Sequence, residues 1–195
     1  MANAQSAFGL RPVRHISGAP YNGATIKCYI SAAYAAALYI GDPILWTPTI
    51  AEKDATGRYP TINKAANGVV RGVIVSFDPL PDSLDKVYNP TLTERYANVC
   101  VDGDVIFQIR DDGAGTPTKG FPGRNAQMTH GAGSTTSGLS GTVLDTTTPA
   151  DTQAFPLNIL GIAEQEDNTL DDYAVWEVLL NTNENATGRF LGINI

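Results

Sequence analysis

A chain of 195 residues with 13 cations and 20 anions, net −7, is long enough to bury a core of its own and too acidic to coat nucleic acid through a basic body. Hydrophobic residues make up 43% and charged residues only 17%, below the roughly 25% of an average domain, which excludes a chain disordered throughout. Nineteen glycines and twelve prolines favour many short strands joined by turns over long helices.

The first 41 residues hold Arg11, Arg14 and Lys27 and not one acid, so a +3 segment precedes a body that carries ten cations against all twenty anions. Residues 1–25 read as an extended, Gly- and Pro-containing N-terminal arm, and residues 26–195 as a β-rich body. Phe8, Leu10, Val13 and Ile16 give the arm apolar anchors, and Arg11 and Arg14 give it charge. These six residues form the predicted partner-binding segment, laid across an acidic neighbour, either a sister subunit or another protein. The bland reading is a loose terminus.

Residues 29–40 are ambiguous, because SAAYAAA favours a helical turn and LYI before Gly41 favours a strand. Residues 69–77 (VVRGVIVSF) are dense in β-branched side chains and stop at Asp78 and Pro79, which predicts a central strand with a bulge at Gly72. Residues 96–101 and 104–110 flank Asp102 and Gly103, a pair suited to a two-residue hairpin turn. In the second of these strands Val105, Phe107 and Ile109 alternate with Asp104, Gln108 and Arg110, predicting one buried face and one mostly wet one. Residues 112–141 are rich in Gly, Ser and Thr and read as a long surface loop. Residues 156–163 and 174–180 predict a strand pair with Ala174, Trp176, Val178 and Leu180 on one face. The acidic residues Glu164, Glu166, Asp167, Asp171 and Asp172 lie between them. No window sustains a helical period, so the expected fold is all-β, a single-domain sandwich or barrel.

Cys28 and Cys100 lack C-x-x-C spacing and read as buried apolar residues, with a single bridge as the alternative. The opening MANAQSAFGLRPVRH has no apolar signal core, which predicts synthesis in a cytoplasm. The longest apolar run, residues 28–40, is short of the roughly 20 residues a bilayer span needs.

Catalytic motifs fail one after another. His15 and His130 are the only imidazoles, and GLSG at 138–141 has Thr142 where a nucleophile elbow needs glycine. Asp102 with Asp104 and Asp111 with Asp112 fit turns and strand ends better than an acid–base pair. The acidic group at 164–172 lacks calcium-loop spacing and reads as a solvated loop, with a docking surface for the basic arm as its functional competitor. No phosphate-cradling glycine motif is present. A sequon at Asn185 means little without a secretory signal. The aromatics Trp46, Trp176, Phe77, Phe107, Tyr29 and Tyr96 fall on or near predicted strands and read as core, with a sugar-binding face as the alternative. Catalytic, cofactor and metal sites are therefore not expected.

The order of segments carries more. AFGLRPV (7–13), PYNGAT (20–25), YIGDP (39–43), GVVRGVIVSF (68–77), the strand from Tyr96, GRNA (123–126), GAGS (131–134), LNILGI (157–162) and WEVLLN (176–181) together resemble a family of small tailed-bacteriophage virion proteins of the head decoration, or cement, type. The resemblance runs over nearly the whole chain. It implies a jelly-roll-like or small-barrel β body on the outside of an expanded capsid, tying capsomers together as a symmetric dimer or trimer, with no enzymatic activity. The implied partners are the major capsid protein and further copies of the chain, with no direct nucleic acid and no membrane. Its place would be the virion surface after synthesis in the host cytoplasm. A tail, neck or fibre-associated component and a carbohydrate-adhering surface module are the alternatives.

Overall fold

A computed structural model of the chain describes residues 3–47 and 54–181; the sequon at Asn185 lies outside them. The described residues form twelve strands and no helix: β1 (Arg11–His15), β2 (Ile26–Ile30), β3 (Pro43–Trp46), β4 (Ile62–Lys64), β5 (Gly72–Phe77), β6 (Arg95–Cys100), β7 (Val105–Arg110), β8 (Asn125–Ala126), β9 (Met128–Gly131), β10 (Gly141–Leu144), β11 (Leu157–Ile162) and β12 (Val175–Leu180). All strand pairings are antiparallel, in two five-stranded sheets and a hairpin of β9 with β10. The all-β expectation holds.

The sheet β2-β6-β5-β3-β4 curls until its edges meet, because the Tyr29 N–H donates to the Pro60 carbonyl at 2.9 Å and Tyr29 bridges Thr61. Every strand contributes to the interior: Cys28, Ile30, Ile44, Ile62, Ile74, Ala97 and Val99, plugged by Leu38. Curling covers the strand edges that an open sheet would leave exposed. Gly72 is buried in a space too small for any side chain, since a Cβ there would sit 2.4 Å from the Cys100 carbonyl oxygen. The bulge predicted at Gly72 falls instead between Ile74 and Ser76, leaving Val75 unpaired. That extra residue resets the two-residue alternation, so Phe77 packs on the barrel core beside Ile74 while Val73 and Val75 face outward.

The second sheet, β1-β7-β12-β11-β8, packs on the outer face of this barrel. Val105, Phe107 and Ile109 meet Ala174, Trp176, Val178 and Leu180, the face predicted for each strand, and Val73 and Cys100 approach from the barrel side. β11 and β12 pair as predicted, Leu157 opposite Leu180. Cys28 and Cys100 are both buried and free, on opposite faces of one sheet.

Four further expectations are corrected. β6 and β7 fall within one residue of the predicted extents but are not a hairpin: β6 lies between β2 and β5, β7 between β1 and β12. Residues 101–104 form a corner between sheets, where Asp102 Oδ1 accepts the Asp104 N–H at 2.9 Å. Folding β7 back on β6 would deny Val105, Phe107 and Ile109 a facing layer. The second face of β7 is not wet, since Ile106 is 1% and Gln108 8% exposed. Residues 112–141 are not a plain surface loop, because they contain β8 and β9 and send Phe121, Ala126 and Met128 into the core. Residues 31–41 form turns without a helix: Ser31 Oγ takes the Ala33 N–H at 3.1 Å, and Leu38 is spent plugging the barrel.

Candidate interaction surface

The segment read as an arm is the edge strand of the body's own sheet. β1 pairs with β7, Arg11 opposite Gln108 and His15 opposite Val105, so the boundary at residue 25 divides no structural unit. Leu10 is 1% exposed and belongs to the core between the sheets. Phe8 lies beneath the guanidinium groups of Arg11 and Arg110, at 5.0 and 5.7 Å from its ring centre. Arg11 donates to Gln108 Oε1 at 2.6 Å and Arg14 to Glu177 Oε2 at 2.6 Å. The Val13 carbonyl accepts the Tyr21 N–H at 3.2 Å, and Ile16 remains 50% exposed. Lys27, the third cation, pairs with Asp78 at 2.6 Å over the ring of Tyr96.

The Arg14–Glu177 pair joins this segment to the chain's own C-terminal region. Farther back, Asn3 reaches the predicted docking loop through neutral groups: its Nδ2 donates to the carbonyls of Thr169 and Asp172 at 3.0 Å each, and its Oδ1 accepts the Thr169 N–H at 3.1 Å. Asn168 braces the same loop, bonding the Ala163 carbonyl and the Val175 backbone. Among the described residues no three His, Cys, Asp or Glu side chains converge as a cation site.

Between this strand and the barrel is a cavity of about 310 Å³, lined by Phe8, Leu10, Tyr21, Ile40, Ile74 and Leu139, with Arg11 also on its wall. Its walls suit an apolar group.

His130 and Ser140, weighed in the sequence as base and nucleophile, lie in a different arrangement from a triad. Ser140 Oγ donates to Asp42 Oδ1 at 2.5 Å, Lys64 Nζ lies 2.7 Å from the same oxygen, and His130 Nδ1 lies 3.1 Å from Thr142 Oγ1. The imidazole thus meets Thr142 rather than the serine. With Ser140 1% and Asp42 0% exposed, the hydroxyl has no room for a substrate. The cluster is a buried latch that ties the turn before β3 to β4, β9 and β10. Burial holds the His130 pKa below its ordinary 6.5; Lys64 pushes it further down and Asp42 opposes. Sequence reasoning missed Asp42 and Lys64, which meet Ser140 only through long-range packing. The one legible signal was Asp42 in the YIGDP segment.

Three segments that carry the family resemblance meet in space beside this latch. A Cβ on Gly9 would lie 2.6 Å from the Gly41 carbonyl oxygen, and one on Gly133 would lie 2.4 Å from the Tyr39 ring. The Leu10 N–H donates to that same Gly41 carbonyl at 2.9 Å. AFGLRPV, YIGDP and GAGS are thus held together by contacts that leave no space for a side chain at two glycines. No family model matches the chain, and no curated protein or solved structure matches it.

Proposed function

We propose that the chain is a capsid decoration protein, a cement that binds the outside of an assembled tailed-phage head and holds neighbouring capsomers together. The observation that carries this reading is the convergence of AFGLRPV, YIGDP and GAGS at Gly9, Gly41 and Gly133. Segments that resemble the decoration family in order along the chain are also in mutual contact in three dimensions. A two-layer β body with its N-terminal strand sewn into its own sheet gives a rigid binding unit.

The mechanism is mechanical. A ligand that binds only the assembled lattice stabilises it by RT ln(1 + [L]/Kd), about 2.7 kcal/mol per site at a hundredfold excess over Kd. Repetition over the lattice multiplies that gain. The partners in this reading are the major capsid protein and further copies of the chain, as a dimer or trimer, on the virion surface after synthesis in the host cytoplasm. No catalytic step is assigned.

The test is binding of the purified chain to expanded heads assembled without it, read by co-sedimentation and by the temperature at which the heads release DNA. Saturable binding with a higher release temperature is the expected result. Failure to bind intact heads would overturn the proposal.

A further inference from the structure

The loop joining β5 to β6, residues 78–94, carries the two most exposed large hydrophobic side chains among the described residues, Leu84 at 77% and Leu92 at 63%, with Val87 at 42% between them. Three exposed apolar side chains within nine residues of one loop are more than the single scattered ones that need no explanation. The loop is firmly held. Arg95, 6% exposed, donates from Nε to the Asp78 carbonyl at 2.6 Å, from Nη1 to Tyr88 at 2.7 Å and from Nη2 to Lys86 at 3.0 Å. The buried Asn89 exchanges backbone hydrogen bonds with Leu38 at 2.8 and 2.9 Å, and the Tyr88 ring stacks on Tyr39 at 5.2 Å. Leu92 sits at φ +53°, a left-handed conformation that leucine avoids, while its N–H donates to the Tyr34 carbonyl. A rigid loop loses little entropy on binding.

Charge selects the occupant. Asp82, Asp85 and Glu94 are exposed on the loop, against Lys86, which lies 3.8 Å from Asp85; Asp78 is already paired with Lys27. Two copies meeting through this face would set carboxylates against carboxylates, which disfavours an isologous dimer here. A basic-rimmed apolar patch is the complement.

Building on the decoration reading, we infer that Leu84, Val87 and Leu92 with their acidic rim form the surface that docks on a capsid-shell protein, whose facing patch is apolar and bordered by lysine or arginine. The Leu84→Ser/Leu92→Gly double variant removes both anchors while glycine accepts the left-handed backbone, so the fold is retained. The Asp82→Lys/Asp85→Lys variant inverts the rim.

Each full-length variant would be supplied to phage lacking the gene, and copies per particle counted in purified virions. At least tenfold fewer copies than wild type is expected for each variant, with thermal melting of the free proteins unchanged. Incorporation of Leu84→Ser/Leu92→Gly at the wild-type level would overturn the surface and leave the decoration reading standing. Absence of the wild-type chain from particles would overturn both. As a check independent of folding, a benzophenone amino acid at position 84 of the otherwise wild-type chain should crosslink to the shell protein in virions. Adducts with a second copy alone, or none, would overturn the inference.

Discussion

The indole Nε1 of Trp176 donates to Oδ2 of Asp111 at 2.9 Å inside the protein, where both residues are 1% exposed. The same carboxylate accepts the backbone N–H groups of Gly113, Tyr173 and Ala174 at 2.7 to 3.1 Å. One side chain at the end of β7 thus satisfies four donors and fixes the approach to β12. Asp111→Ala strands all four, those of Ala174 and Trp176 in a fully buried setting, and each buried orphaned donor costs about 1–3 kcal/mol. The expected loss is at least about 3 kcal/mol by urea unfolding, with Asp111→Asn milder because it keeps one acceptor. A loss below about 1 kcal/mol would show that the donors find other partners.

The N-terminal strand is held by burial rather than by charge. Leu10→Ala should cost about 2–5 kcal/mol as a fully buried leucine. A double-mutant cycle on Arg14 and Glu177 should give no more than about 1 kcal/mol, since the Arg14 side chain is 43% exposed. Removing residues 1–20 takes away β1 and Leu10, so the truncated body should melt well below the intact chain. A coupling energy larger than the Leu10→Ala loss would reverse this ranking.

Gly41 and Gly23 separate two costs that positive φ usually mixes. Both are left-handed, at +89° and +82°, but a Cβ on Gly41 would lie 2.6 Å from the Phe8 carbonyl oxygen while one on Gly23 meets nothing within 4 Å. Gly23→Ala should cost about 1–2 kcal/mol from backbone strain alone. Gly41→Ala should cost clearly more, and equal losses in thermal unfolding would mean that the 7–13 segment yields easily.

Much of the fold was legible because period-two alternation is a local signal. The faces of β7 and β12 were readable from Val105, Phe107, Ile109, Trp176 and Val178, since each strand buries one side on the same core. Pairing was less legible. The Asp102–Gly103 pair looks like a hairpin turn, yet whether β7 returns on β6 or leaves for another sheet depends on which layer its apolar face can reach. That layer is built by β12, about 70 residues away. Among the N-terminal residues Phe8, Leu10, Arg11, Val13, Arg14 and Ile16, the sequence shows apolar and basic character but not where each goes: Leu10 enters the core, Arg11 meets the neutral Gln108 and Arg14 pairs with Glu177. The latch at Asp42 was illegible for the same reason, with Ser140 lying 98 residues away.

That latch predicts a pH dependence. His130 has its pKa lowered in the folded state, so the fold favours the neutral ring and the unfolded chain takes up a proton first as pH falls. The stability contribution is whole above the ordinary value near 6.5, and declines as pH drops through it and on through the lowered native value. Urea midpoints measured from pH 7.5 to 5 should fall, and His130→Gln should flatten that decline. An unchanged slope in the variant would remove His130 as its source.

We propose that this chain is a repeated component of an assembled head, and quantitative mass spectrometry of purified virions, read as copies of the chain per major capsid protein, decides it. A ratio near one or a simple lattice fraction is the expected result. A handful of copies per particle, or none, would contradict it.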